Sequence, residues 1–221
     1  MADIFREVDE DVRRDKALEA WNKYQPWLVA AAIAIVAATA GYRTYDHYRV
    51  QGAETAGAQY EAALKLARDG KASEAEAALS LIGSSGPAGY SGLAQLRRAA
   101  EIANHDSAAG VAAYDSLVSN AGLGPQFQAI ARLRAAMMRV DEADMNEMAA
   151  RLLPLTAPGQ ALRHTAREML ALAALKQEDM DAAGTWLDQI VADPQSPEST
   201  RRRAGELQAI VQGGKPAAAP K

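Results

Sequence analysis

The chain of 221 residues contains no cysteine, which excludes disulfide bonds, thiolate metal ligands and a cysteine nucleophile. Aromatic residues make up only 5% of it, and positive charge is not in excess, because the formal net charge is −4. Without a basic field, binding to nucleic acid is not expected. Alanine is abundant and β-branched residues are scattered singly, a composition that favours an all-α protein.

Motifs for catalysis are missing as well. The sequence has neither a phosphate-binding G-x-x-x-x-G-K loop nor a nucleophile elbow. None of the three histidines, His47, His105 and His164, has a second histidine at the spacing of a metal site, and surface or turn positions are the expected interpretation. Carboxylates such as Asp141 and Asp144 lie in predicted turns, where helix capping explains them better than acid or base catalysis. We therefore expect no enzymatic activity, no metal and no cofactor.

One uncharged and mostly apolar stretch runs from Tyr24 to Tyr42 and reads YQPWLVAAAIAIVAATAGY. As a helix it would be about 28 Å long, close to the thickness of a bilayer's hydrocarbon core. Aromatic residues, which favour membrane interfaces, lie near both ends. The stretch predicts a transmembrane helix over 24–42. Its expected lipid anchors are Trp27, Leu28, Val29, Ile33, Ile35, Val36 and Tyr42.

Two other interpretations of this stretch are a buried core helix and a cleaved signal peptide. A soluble helix of this length normally carries a polar stripe, and none lies between Trp27 and Ala40. Residues 38–40 have the small-x-small form of a cleavage site. However, residues 1–23 hold seven acids and five bases, whereas the leader of a signal peptide is short and basic. We expect an uncleaved anchor.

Basic residues flank the span unequally. Five precede it in residues 1–23, and only Arg43 and Arg49 follow it within the next twenty residues. This excess predicts a cytoplasmic N-terminus, with the rest of the chain across the membrane, in the periplasm of a bacterium. Residues 1–23 predict a cytoplasmic amphipathic segment, with a mixed-charge helix frayed in water as the alternative.

From residue 43 onward, turn signals and helix-length runs alternate with a period near 36. The apolar residues Leu81, Leu117, Leu153 and Ile190 lie 36, 36 and 37 residues apart. Helix pairs at this period predict a tetratricopeptide-like α-solenoid over 43–212, followed by a disordered tail at 213–221. The predicted pairs are 47–68 with 72–82, 88–103 with 106–119, 125–139 with 143–153, and 159–176 with 180–192, with a last helix at 197–212.

A solenoid of this kind offers a groove lined by the first helix of each pair. The candidate partner-binding side chains are Gln95, Arg98, Gln128, Arg132, His164 and Arg167. A solvated helix face is the alternative for these residues. Six of the seven methionines fall between Met137 and Met180, which suggests either an adaptable client-binding surface or a repacked core.

The layout as a whole resembles the YfgM-like family of ancillary Sec translocon subunits. The resemblance rests most specifically on the N-terminal segment DIFREVDEDVRRDKALEAWNKYQPW joined to one span. The repeat region departs from the tetratricopeptide consensus, because it lacks the early tryptophan and the Leu-Gly pair. The resemblance implies a single-pass protein of the bacterial inner membrane with a periplasmic repeat domain. It implies the SecYEG translocon and a chaperone of the PpiD kind as partners, with membrane lipids and client polypeptides as further contacts. A scaffold for another cell-envelope complex is the alternative.

Overall fold

The computed structural model describes residues 2–214 of the chain. These residues form nine α-helices, one short 3-10 helix and no strand, which confirms the predicted all-α class. The α-helices are α1 Ala2–Arg68, α2 Ala72–Ser85, α3 Ala88–His105, α4 Ser107–Val118, α5 Pro125–Arg139, α6 Met145–Leu152, α7 Arg163–Lys176, α8 Met180–Ala192 and α9 Glu198–Gly214, and the 3-10 helix is Leu153–Leu155.

The chain divides into two compact units, Met1–Glu54 and Thr55–Lys221. The described part of the first unit is entirely helical and belongs to α1. Pro26 lies inside this helix. The second unit contains the end of α1 and all of the helix pairs.

Within the second unit, the helices form two layers. Helices α3, α5, α7 and α9 contact one another in turn, as well as their neighbours along the chain. No comparable contact joins α2, α4, α6 and α8 to one another in the described part of the chain. We call the first set the inner layer and the second set the outer layer. The predicted arrangement of first and second helices of each pair is therefore present.

Capping residues mark where these short helices begin and end. Asp106, Asp144 and Asp179 each accept a hydrogen bond from a backbone N–H three residues on, at 2.9, 2.8 and 2.9 Å, and so cap α4, α6 and α8. After α1, Gly70 adopts a φ of +77°, and the N–H of the next residue bonds to the carbonyl of Leu66 at 2.9 Å. This closing pattern needs a left-handed residue, which explains the glycine.

Alanine allows the inner helices to approach closely. Ala94 of α3, Ala131 and Ala135 of α5, and Ala166 of α7 are fully buried. Larger side chains from the outer layer fill the spaces between them, among them Leu79, Tyr114, Leu152 and Leu187. Each such leucine contributes about 1.5–3 kcal/mol by leaving water.

The structure corrects the apolar positions that the fixed period predicted. Leu81 and Leu153 are 64% and 47% exposed, and Leu79 and Leu152 occupy the core instead. Leu117 and Ile190 are buried as expected. The reason is that the buried positions of the outer helices repeat every 35 residues, at Ile82, Leu117, Leu152 and Leu187, so a period near 36 drifts off the buried face.

Several predicted helix boundaries also differ, by one to four residues. Helix α7 begins at Arg163 rather than at 159, because Gly159 has a φ of +87° and belongs to a turn. At the other end, α9 continues to Gly214, through the first two residues of the predicted tail. The remaining residues of that tail, 215–221, lie outside the described residues.

Candidate functional site

The first functional feature is the apolar stretch of α1. All side chains from 24 to 42 are exposed. One helix of the described chain is long and apolar enough to cross a membrane, and the qualifying stretch lies within Trp21–Arg68. Each of the seven predicted anchors is more than half exposed, namely Trp27, Leu28, Val29, Ile33, Ile35, Val36 and Tyr42.

The exposure of this stretch decides against one of its alternatives. A core helix of a soluble protein has most of its side chains buried, and here none of the apolar window is buried. The hydroxyl of its single threonine has a partner within the helix, because Thr39 Oγ1 donates to the carbonyl of Ile35 at 2.8 Å. Such internal satisfaction is what lipid demands of a polar group. Retention of the segment as an uncleaved anchor stays a prediction.

The second feature is the set of six side chains predicted to line the groove, three of which bind backbone carbonyls that precede their own helix. Gln95 Nε2 donates to the carbonyl of Gly83 at 3.1 Å, and Gln128 Nε2 donates to that of Asn120 at 2.7 Å. Arg167 Nη2 donates to the carbonyl of Thr156 at 2.9 Å. These three side chains thus join each repeat to the one before it.

Arg167 and His164 also belong to a charged cluster around Asp193. Arg167 Nη1 and Arg163 Nε donate to Asp193 Oδ2 at 3.4 and 2.9 Å, and His164 Nε2 lies 3.7 Å from the same oxygen. The hydrogen bond from Arg163 and one from the N–H of Gln195 lower the pKa of Asp193 to about 2. The cluster holds α7 against the segment that follows α8.

The imidazole of His164 is a buried member of this cluster. Its side chain is almost enclosed, and neither ring nitrogen has a hydrogen-bond partner among the described residues. Burial, and secondarily the charge of Arg163, lower the pKa of His164. The residue is therefore neutral at physiological pH and contributes packing.

The remaining two predicted groove residues are more accessible. Arg98 is exposed and Arg132 is half-buried. Neither forms an ion pair with another residue of the described chain. The six residues thus occupy three kinds of place: repeat joints, a buried cluster and the surface. A role in partner binding stays a prediction for them, and His164 and Arg167, at 7% and 8% exposure, make their contacts within the chain.

A more continuous surface lies on another face of the inner helices. It combines apolar side chains of α3, α5 and α7 with basic side chains of α3 and α5, and we call it the inner stripe. Its members are Leu93, Arg97, Ile130, Arg134, Met137 and Leu172. Leu93, Met137 and Leu172 are 44%, 43% and 36% exposed.

Sequence reasoning missed this stripe, although a signal for it exists. Leu93 and Ile130 are 37 residues apart, as are Arg97 and Arg134, and Met137 and Leu172 are 35 apart. On α3 and α5 the members lie four or three residues from one another, which places them on one face of each helix. The bounds of the inner helices, together with these spacings of 37 and 35 residues, would have been enough to identify the stripe from the sequence.

The two layers carry opposite charge. The inner helices α3, α5, α7 and α9 hold eleven arginine and lysine residues against four glutamates. The outer helices α2, α4, α6 and α8 hold one arginine against six acidic residues. Charge that is nearly balanced over the whole chain is thus strongly segregated within the repeat domain.

Tyr114 connects the core to the inner stripe. It comes from α4 and is 4% exposed, packed in one core cluster with Ala99 of α3 and Ala131 of α5. Burial raises the pKa of Tyr114, while the charges of Arg134 and then Arg97 act to lower it. The two arginines stand 37 residues apart, at corresponding positions of α3 and α5, and these two helices contact one another.

A cavity adjoins the stripe. It has a volume of about 360 Å³ and lies between α5 and the connection that leads into α7. Its walls are mostly apolar and include Ala129, Ile130, Leu155 and Leu162. Since Ile130 also belongs to the inner stripe, the cavity opens at the edge of that surface.

Methionine and histidine side chains add no separate site. Met148 and Met169 are buried in one core cluster and Met145 packs against it, so the core interpretation holds for them. Met137, in the inner stripe, is 43% exposed. Within the described residues, no three histidine or acidic side chains are grouped so that they could hold a metal ion.

The geometry defines the class of protein: a helical repeat domain built from paired helices, preceded in the chain by a helical stretch that is long and apolar enough to cross a membrane. A family model for the tetratricopeptide repeat-like domain matches residues 19–167, more than half of the chain. The chain belongs to this family. The matched range includes the apolar stretch 24–42 as well as the first three helix pairs. No curated protein and no solved structure matches the chain.

Proposed function

We propose that this protein is a membrane-anchored protein-interaction module of the bacterial inner membrane, acting in the periplasm as an ancillary subunit of the Sec translocon. In this role it links the SecYEG channel to chaperones of the PpiD kind. The observation that carries the proposal is an apolar stretch of α1 without buried side chains, in the same chain as a tetratricopeptide-like domain. The layout that resembles the YfgM-like family supplies the particular partners.

A repeat domain of this family is typically a non-catalytic interaction module. Here the inner stripe offers exposed apolar and basic side chains from three helices, which is the kind of surface that binds another polypeptide. The described residues offer no group of metal ligands as an alternative use of the domain.

Anchoring to the membrane allows weak contacts of such a surface to be occupied. A module tethered beside its partner binds at an effective concentration in the millimolar range for short connections. A contact that is too weak in solution is then populated at the membrane. The span and the repeat surface would therefore work together in recruiting partners at the translocon exit.

Site-specific photo-crosslinking from the full chain in cells tests the partner assignment. A photoreactive residue at Trp27 or Tyr45 should crosslink to SecY, because both positions flank or lie in the predicted span. A probe at Leu81, which is 64% exposed on α2, serves as the control for random contact. Crosslinks from Trp27 to a different envelope complex would support the scaffold alternative and refute the Sec assignment.

Topology is tested separately. A periplasm-active reporter fused after Lys221 should be active, and the same reporter fused before Ala2 should be inactive, because the excess of basic residues before the span predicts a cytoplasmic N-terminus. The reverse result would remove the periplasmic role.

A further inference from the structure

We infer that the inner stripe binds a polypeptide segment that combines acidic side chains with large apolar ones. The inference rests on the proposed role as an interaction module and adds the chemistry of the partner. Three observations carry it: the opposite charge of the two layers, two accessible arginines among apolar side chains, and the cavity beside them.

The arginines supply the selectivity for acid. Arg134 is exposed and makes no ion pair with any described residue. Arg97 lies 2.5 Å from Glu101 but keeps 40% of its side chain exposed. A guanidinium group presents several N–H donors in one plane. This arrangement matches the two oxygens of a carboxylate, which can accept two parallel hydrogen bonds from it. Because Arg97 and Arg134 occupy corresponding positions of α3 and α5, two helices in contact, they form one basic patch.

The apolar members supply the rest of the contact. Leu93, Met137 and Leu172 flank the basic patch on three successive inner helices. The cavity of about 360 Å³ next to Ile130 has mostly apolar walls and room for a large side chain. A partner that had only acidic residues would leave this part of the surface in contact with water.

The outer layer shows why charge, and not apolar exposure alone, selects the partner. Leu81 and Val191 are also exposed there, at 64% and 38%. The outer helices nevertheless carry six acidic residues against one arginine, so they repel an acidic segment. An acidic and apolar segment is therefore directed to the inner stripe.

The same charge would also attract an anionic lipid surface. The observations favour a polypeptide, because a lipid surface has no side chain to occupy a cavity between α5 and the connection before α7. Binding to lipid headgroups is therefore treated as a competing outcome of the test.

The test measures binding of fluorescent peptides to the full chain in detergent micelles. The probe alternates glutamate with phenylalanine and leucine, and two matched peptides carry glutamine or lysine in place of glutamate. The glutamate peptide should bind about tenfold more tightly than the glutamine peptide, and added salt should weaken its binding. Empty micelles correct for partitioning of the peptide.

Variants locate the binding surface. Arg134→Glu should weaken binding of the glutamate peptide about tenfold or more, because attraction becomes repulsion. Met137→Gln should weaken it several-fold with no change in charge. Arg202→Glu is the matched control, since Arg202 is an exposed arginine of α9 without an ion pair in the described chain and outside the stripe. Circular dichroism verifies that each variant is folded.

The outcomes separate the possibilities. Equal binding of the three peptides, or equal loss from Arg134→Glu and Arg202→Glu, would overturn the inference. It would also be overturned if the stripe took a second copy, seen as self-association in sedimentation that Arg134→Glu abolishes, or if only vesicles containing phosphatidylglycerol bound through Arg134. Crosslinking from Trp27 depends on none of these results, so the translocon assignment and the partner chemistry can fail independently.

Discussion

Residues 24–42 of α1 and helix α7 have a similar alanine-rich composition but opposite surroundings. In α7, nine of fourteen side chains are buried, two of them arginines. In the stretch 24–42, every side chain is exposed and none is charged. The comparison shows that alanine content does not distinguish a helix suited to a membrane from a core helix. The placement of charge does, because packed neighbours can neutralise an arginine and lipid cannot.

The largest effect should come from removing a core side chain of α7. Leu170 is fully buried, so Leu170→Ala should lower the free energy of unfolding by about 2–5 kcal/mol, through lost burial and the remaining cavity. Leu172→Ala on the same helix, at 36% exposure, should lower it by less than about 1 kcal/mol. Urea denaturation followed by circular dichroism measures both. Equal losses would mean that α7 is not packed as described.

A charge placed in the apolar stretch 24–42 tests whether this part of α1 contacts lipid. Ile33 is 64% exposed, so Ile33→Lys should leave the repeat domain folded. In a membrane, however, the substitution should make insertion about 3 kcal/mol less favourable. The measurement is the fraction of full chain that resists carbonate extraction, with Ile33→Leu as the control. Undiminished retention of the lysine variant would show that the stretch does not contact lipid.

A smaller effect should distinguish the short capped helices from the long one. Asp106 accepts the N–H of Ala109 at 2.9 Å, so Asp106→Ala should destabilise the repeat domain by about 0.5–2 kcal/mol. Asp106→Asn keeps an acceptor of similar quality and should restore most of the stability. Thermal unfolding of both variants measures the difference. If asparagine were as damaging as alanine, capping would not be the role of this residue.

The smallest effect should appear as a pH dependence of the α7 cluster. Burial lowers the pKa of His164 from its ordinary value of 6.5, so the unfolded chain binds more protons than the folded one below that pH. Stability should therefore fall as the pH drops through about 6.5, and His164→Gln should remove that part of the fall. Asp193, whose pKa is lowered to about 2, loses its contribution in a more acidic range, below its ordinary value of 3.8. A wild-type profile that is flat near pH 6.5 would contradict the assignment.

Much of the fold could be predicted from the sequence. The bounds of α5 and α8 match the predicted 125–139 and 180–192, because a proline, a glycine or an aspartate marks each of these ends locally. The start of α7 was missed because a glycine with a positive φ sits inside an otherwise helical pattern. The apolar character of 24–42 was visible directly, since it needs no partner within the chain.

The residues that line the surface were harder to predict from the sequence, because they depend on the rotation of each helix about its axis. Gln95 and Gln128 were expected in a groove, and they donate to backbone carbonyls at the joints between repeats. Arg134 was overlooked, and Met137 was considered only as one of a group of methionines, although both lie in the inner stripe. A shift of one or two residues in register turns a helix by 100° or more, about 100° per residue, which moves a side chain from the surface to a joint.

By itself, the sequence determined the helical class, the repeat period and the one stretch suited to lipid, because each follows from local preferences and from composition along a single helix. Only the tertiary structure decided which face of each helix is buried, that Arg163, Arg167 and His164 gather around Asp193, and that basic and acidic residues separate into two layers. These features depend on how helices far apart in the chain pack side by side, and packing is set by contacts among many residues at once.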